Sequence, residues 1–152
     1  FSEIDDSVAP IEMHHGPIFT LYDIVEIEIA HLFKKGKPIN SANVTRHILK
    51  DHFDNIIQVT MLCEMAHVYV HAFAKTKDPR FFLSGDGSWG DFGAFVEKYH
   101  ESLNLQHIQK IQKYLSVYDE FTTPEKRSAQ SELFKSTLTD WNEKLNQMES
   151  EP

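Results

Sequence analysis

The sequence predicts a mainly α-helical domain that carries a small β-hairpin. Apolar residues recur at helical spacing through most of the chain, and capping residues precede several of these runs. Two segments favour strands instead: residues 8–15, and residues 56–62, which are rich in β-branched side chains. The 152 residues suffice for one domain with a proper hydrophobic core, so we expect residues 1–152 to form a single unit.

Two helices are predicted between the strands. The first covers residues 20–35, where Thr20 and Asp23 resemble a capping box. Ser41 is a suitable cap for the second, which runs to about residue 53. The two strands should therefore pair across a helical insertion.

The second strand leads directly into a helix. Asp54-Asn55 forms a turn before the strand, and a helix is predicted over residues 64–75. Strand, inserted helices, strand and helix together predict a ββα unit within residues 8–75.

The second half of the chain is predicted to be helical. A loop over residues 78–93 contains four of the six glycines, and apolar residues at helical spacing follow it. Thr123-Pro124 is a favourable cap and first-position pair for a long last helix. We expect residues 92–148 to pack on the ββα unit.

Composition excludes several classes of protein. No apolar run is long enough for a transmembrane helix, and the acidic first ten residues lack the apolar stretch of a signal peptide. One cysteine, Cys63, excludes a disulfide framework and favours a reducing, cytoplasmic location. The net charge of −8 counts against a broad basic surface for nucleic acid.

Four histidines stand in a suggestive order. His14 and His15 are adjacent at the end of the first strand, Asn55 lies before the second strand, and His67 and His71 follow on the third helix. A spacing of four residues lets both helix imidazoles reach one metal ion from one helix face. That face lies away from the apolar stripe predicted for this helix, which consists of Met65, Val68, Tyr69, Ala72 and Phe73.

This ordered set resembles the ββα-metal, or His-Me finger, of the HNH endonucleases, and within them most closely the colicin-type DNases. The resemblance covers about residues 8–75. It implies that His14, His67 and His71 bind the metal and that His15 is the general base that activates water. It further implies that Asn55 holds the loop and helps to orient this base, with His15 open to solvent beside the metal.

The resemblance also implies a cofactor, a substrate and an origin. The cofactor is one divalent ion, Zn, Ni, Mn or Mg, although imidazole ligands suit Mg least. The substrate is DNA, in a phage or bacterial setting. Lys75, Lys77 and Arg80 follow the third helix and are candidate nucleic-acid-binding residues, or else solvated charges at a helix end. The acidic net charge suggests that another chain or domain supplies DNA affinity.

Three departures keep alternatives open. Forty residues separate His15 from Asn55, longer than the family's usual loop, Asn55 lies twelve residues before His67, which is also slightly long, and the chain is acidic. A catalytically inactive helical interaction module with a structural or vestigial metal site is one alternative, and a hydrolase of small phosphoesters is another. Two neighbours could enter the site: His52, which is close to the Asp54-Asn55 turn, and Glu64, as a fourth ligand or an exposed first-turn glutamate.

Overall fold

The computed structural model describes residues 10–150. In that range the elements are β1 (Ile11–His15), α1 (Leu21–Lys34), α2 (Ser41–Phe53), β2 (Val59–Cys63), α3 (Glu64–Thr76), α4 (Phe92–Tyr99), α5 (Leu105–Phe121) and α6 (Ala129–Ser150), with three short 3-10 helices. The predicted fold class, mainly α with a small β-hairpin, is confirmed. Residues 8 and 9 of the predicted first strand lie outside the described residues.

β1 and β2 form an antiparallel pair in which His14 lies opposite Thr60 and His15 lies opposite Val59. Helices α1 and α2 are inserted between the two strands, and α3 follows β2 without a loop. Since successive side chains of a strand point to opposite faces, His14 and His15 face different parts of the molecule. This division decides the geometry of the candidate site.

β2 starts three residues later than the sequence predicts, at Val59 rather than residue 56. The amide of Asp91 donates to the Asn55 carbonyl, and Val59 forms a bridge with Trp89 on the edge away from β1. Gly90 allows this close approach, because a Cβ there would lie 2.2 Å from the Ile57 carbonyl oxygen. Contacts with the glycine loop therefore replace the expected strand pairing.

The observed N-caps of α1 and α2 can be compared with the predicted ones. The capping box of α1 is present, with the Asp23 amide donating to Thr20 Oγ1 at 3.1 Å. The N-cap of α2 is Asn40 rather than Ser41, because the Asn40 side chain accepts from the Asn43 amide at 2.8 Å. The prediction for α2 was therefore wrong by one residue at its cap.

The start of α6 was predicted too early. Thr123-Pro124 opens a 3-10 helix, Pro124–Lys126, instead of the long helix. α6 begins at Ala129, behind Ser128, whose Oγ accepts from the Ser131 amide at 3.1 Å. Proline fixes a helical φ at this point, but the hydroxyl four residues later provides the cap.

The core joins the inserted helices to the C-terminal ones. Five fully buried apolar residues mark its centre: Ile27, Leu32, Val96, Ile111 and Leu138. α3 lies outside it, against β1, β2 and the first 3-10 helix, and within this helix Ala66 alone is buried. The first part of the predicted apolar stripe of α3 is consequently exposed, with Met65 at 69% and Val68 at 61%, whereas Phe73 is half-buried against Phe82.

Within the described range, none of the helices combines the length and the apolar character that crossing a membrane requires.

Candidate metal centre

The three histidines predicted as metal ligands converge in space. β1 supplies His14, and α3 supplies His67 and His71 one turn apart. One possible ligand atom from each lies within 4.8 Å of the other two. The His14 ring centroid is 5.0 Å from each of the other rings. Hairpin pairing and the direct junction of β2 with α3 bring these distant residues together.

Glu12 fixes the orientation and the tautomer of His67. Its Oε2 lies 2.5 Å from His67 Nδ1, and since a carboxylate only accepts, Nδ1 carries the proton and donates. The lone pair of the neutral ring is then on Nε2, the atom that faces His71. A carboxylate behind a histidine is the usual outer partner of a metal ligand.

Glu12 was not among the site residues predicted from the sequence. The signal was nevertheless present, because Glu12 and His14 are two residues apart on a strand and so share a face. A carboxylate on the ligand-bearing face of the strand could have been predicted to reach the ligand helix.

The spacing between the helix histidines suits a shared cation. His67 Nε2 and His71 Nε2 are 2.9 Å apart. Two nitrogens bound to one zinc ion at about 2.0–2.1 Å would be separated by roughly 3.0–3.4 Å, depending on the coordination angle. Small rotations of the two rings would therefore admit a divalent ion, and the donor set fits an imidazole-ligated metal.

His14 is suited to remain a neutral ligand. Burial, followed by the neighbouring His71, His67 and His15, lowers its pKa to about 4. Gly16 makes room for the ring, because a Cβ at that position would lie 2.9 Å from His14 Nε2. The ring is therefore uncharged at neutral pH and available to a cation.

His15 makes a separate contact on the other face of β1. Its Nε2 lies 3.0 Å from His52 Nε2, and His52 Nδ1 lies 2.9 Å from the Ile48 carbonyl oxygen. A carbonyl only accepts, so His52 Nδ1 carries a proton and donates, and a lone pair on His52 Nε2 would accept from His15 Nε2–H. The free lone pair of His15 is consequently on Nδ1.

His15 is half-buried, whereas the resemblance implied a ring open to solvent. Burial and then the proximity of His52 lower the pKa of His15 below its ordinary value, so the ring is held in its neutral, basic form. His52, which the sequence indicated only as a possible neighbour, is the direct partner of His15.

Asn55 lies in a different place from that expected of a residue orienting His15. It is exposed and adopts a φ of 58° directly after the end of α2, a conformation that asparagine tolerates. Its backbone bonds to His52 and Asp91, while its side chain has no hydrogen-bond partner among the described residues. The orienting contact that the sequence assigned to Asn55 is made by His52.

The predicted nucleic-acid-binding residues lie near the end of α3. Lys75 and Lys77 are exposed, and Lys77 Nζ is 5.5 Å from the Phe73 ring centroid. Arg80 is paired with Asp78, with Nη2 2.7 Å from Oδ2. Glu64 is exposed in the first turn of α3, as the simpler of its two interpretations predicted.

A second group has metal-like spacing, namely Asp23, Glu26 and His107. The Asn104 amide donates to His107 Nδ1 at 3.1 Å, so this ring carries its proton on Nε2, facing the two carboxylates. Lys110 Nζ already lies 2.5 Å from Asp23 Oδ2. The lone pair and the charge that a cation would require are both engaged, which makes this group a structural cluster.

Fold and site together define a mainly helical domain in which a hairpin and one helix gather three histidines. The chain belongs to the Bacteriophage G278-like virion protein family, which matches residues 1–151. Neither a curated protein nor a solved structure matches the chain. The phage setting implied by the sequence resemblance is thus confirmed, whereas the nuclease, HNH and metal-binding parts stay predictions.

Proposed function

We propose that this virion protein is a metal-dependent endonuclease that hydrolyses phosphodiester bonds in DNA. One observation carries the proposal: β1 presents His14 to two convergent helix histidines on one face and His15, in contact with His52, on the other. Ligands and base in adjacent positions are what hydrolysis at a single metal requires.

The three convergent histidines would hold one divalent ion, with Glu12 fixing His67. Zn, Ni or Mn suits this nitrogen donor set better than Mg. When bound, the ion would neutralise charge on the phosphate and stabilise the leaving oxygen. Three protein ligands leave positions for phosphate and water.

His15 would accept the proton of the attacking water. Its Nδ1 has the free lone pair, because Nε2 donates to His52. The lowered pKa keeps that lone pair available at neutral pH. His52 would act as a positioning residue that fixes the tautomer and the ring plane of His15.

The net charge of −8 suggests how the protein meets DNA. A nuclease that held DNA by itself would need several phosphate contacts from lysine and arginine. We therefore propose that a second virion chain or domain supplies most of the DNA affinity. The protein would act before or during delivery of the genome, and a cytoplasmic location stays a prediction.

The test is nicking of plasmid DNA and cleavage of single-stranded DNA by the purified chain with Mn²⁺, Ni²⁺, Zn²⁺ or Mg²⁺. His15→Ala should lower the rate by about 100-fold to 10,000-fold, the usual contribution of a general base, and leave metal affinity by calorimetry nearly unchanged. His100→Ala is the matched control, because this histidine bonds to the Glu97 carbonyl away from the site. Equal nicking by wild type and His15→Ala would contradict the proposal.

A second candidate is a non-catalytic virion interaction module. The exposure of large apolar side chains on α1 and α2 favours it: Tyr22 is 79% exposed, Phe33 76% and Phe53 86%. Such residues mark surfaces that other proteins cover. This alternative predicts no nicking with any of the four ions. It also predicts a large fall in Tm with chelator only if the metal is structural.

A further inference from the structure

We propose that a cleft beside the histidines binds the nucleotide next to the scissile phosphate, and that the substrate is single-stranded DNA. This inference rests on the proposed nuclease function and specifies its substrate. The cleft has a volume of about 360 Å³ and lies between the hairpin, α3 and α5. That volume is at the lower end of the range for small-molecule sites, which suits one nucleotide.

Both chemical halves of the candidate site line this cleft. His14 and His71 belong to the ligand set, His15 is the proposed base, and all three contribute to its wall. A nucleotide in the cleft would therefore lie next to two of the ligand histidines and next to the proposed base. No other described group combines these two roles.

The opposite wall is apolar and aromatic. Phe82 and Tyr114 line it, with their ring centroids 5.3 Å apart and their planes inclined by 22°. The Tyr114 hydroxyl donates to the Leu83 carbonyl at 2.9 Å, which fixes the ring. Tyr114 is buried and stacked against Phe82, so the half-buried Phe82 is the ring of this pair that a base could stack on, whatever the sequence.

Two lysines of α5 provide positive charge at the cleft. Lys110 and Lys113 are one turn apart and both line it. Lys110 is paired with Asp23, whereas Lys113 is exposed and has no ion pair within residues 10–150. Lys113 is therefore the cation available to a neighbouring phosphate. Lys75, Lys77 and Arg80, the predicted contacts, do not line this cleft.

The shape and charge of the cleft favour an unpaired strand. A base can enter a cleft of this size only after it has left its partner and its stack, which is least costly in single-stranded DNA. Duplex binding relies on many phosphate contacts, and one unpaired lysine beside the site supplies few. A stacked base and one phosphate contact together suit a single strand.

The experiment compares two esters with the same p-nitrophenol leaving group. Methyl p-nitrophenyl phosphate has no base, whereas thymidine 5′-(p-nitrophenyl phosphate) has one. With metal-loaded protein, kcat/KM for the thymidine ester should be higher by about 10-fold or more, within the range expected for stacking one base. A single-stranded oligonucleotide should also be cut faster than the same sequence in a duplex.

Variants locate the effect in the cleft. Val117→Trp should fill the cleft and bring the ratio of the two esters close to one. Lys113→Ala should raise KM for the oligonucleotide several-fold, and Lys126→Ala, an exposed lysine that does not line the cleft, should not. The new tryptophan could disturb folding. The variant Lys113→Ala changes only an exposed side chain, so it tests the cleft without this complication.

The outcomes separate this inference from the proposed function. Suppose that both esters are hydrolysed with equal efficiency and that His15→Ala abolishes this hydrolysis. The proposed role of the cleft in binding a nucleotide would then be wrong, while the proposed nuclease function would stand. Faster cutting of the duplex, or an unchanged KM in Lys113→Ala, would likewise overturn the proposed role of the cleft. Absence of hydrolysis with every substrate and ion would overturn both.

Discussion

Two clusters in this molecule satisfy the same distance test for a metal site, yet their hydrogen bonds assign them different roles. In the first, Glu12 accepts from His67 Nδ1, and the free lone pair faces the other histidines. In the second, the Asn104 amide donates to His107 Nδ1, and the remaining N–H faces carboxylates. The partner of the remote ring nitrogen therefore decides whether a histidine is poised to bind a cation.

The two clusters also differ in charge. The first has one carboxylate behind three imidazoles, and no lysine or arginine is paired with that carboxylate among the described residues. The second already holds Lys110 against Asp23 at 2.5 Å. Proximity of potential ligands is thus a weak criterion for a metal site. Proximity combined with the histidine tautomers and the charges already present is a selective one.

The largest expected difference is in metal affinity. His71→Ala should weaken Zn²⁺ or Mn²⁺ binding by more than about 100-fold, because even an outer partner of a ligand contributes 10-fold to 100-fold. His107→Ala should leave that affinity unchanged and instead lower the stability of the fold, since this ring is buried. Titration calorimetry measures the metal affinity of both variants. An equal loss of affinity in the two would contradict the different roles assigned to the two clusters.

Glu12→Gln tests the outer partner itself. The amide can still bond to His67 but no longer favours a proton on Nδ1, so metal affinity should fall by about 10-fold to 100-fold. Glu26→Gln, the matching change in the second cluster, should have no effect on metal affinity. Equal affinities of Glu12→Gln and wild type would show that the His67 tautomer does not depend on this contact.

His52 offers a smaller effect, confined to catalysis. His52→Ala removes the acceptor for His15 Nε2–H, and one net hydrogen bond corresponds to about a 10-fold loss in kcat. His52→Gln should restore much of the rate, because its side-chain oxygen reaches a similar position. Nitrogen chemical shifts of His15 would report the tautomer directly, and no change in them on His52→Ala would count against the positioning role.

The smallest effect concerns stability and pH in the second cluster. Burial acts to raise the Asp23 pKa, but hydrogen bonds from Lys110 and Thr20 outweigh it and hold that pKa below its ordinary value. This depressed pKa stabilises the fold above about pH 4, and the contribution is lost as the pH falls through the folded-state pKa.

Asp23→Asn should therefore lower the free energy of unfolding at pH 7 by about 1 kcal/mol, given the loss of a capping and a charged hydrogen bond. The difference from wild type should vanish in acid. Urea unfolding over a pH series from 7 into acid measures it, and a deficit that did not shrink as the pH fell would argue against the charged contact. Asp119→Asn, in an exposed pair, is the control.

Part of the fold was predictable because its signals are local. The capping box of Thr20 and Asp23 requires only residues three positions apart, and it forms as expected. The facing pair His67 and His71 follows from the helical repeat in the same way. The prediction was wrong where two helix-start signals lie close together. Thr123-Pro124 starts a 3-10 helix, and the later Ser128 caps the long helix.

The sequence by itself determined the helical class, the hairpin and the order of histidines that can converge, since these depend on spacing along the chain. Only the tertiary structure decided that His52 rather than Asn55 contacts His15, and that Lys113 rather than Arg80 lines the cleft. Those contacts join elements far apart in sequence. Their partners are set by how the inserted helices and α5 pack against the hairpin, and no local pattern encodes that packing.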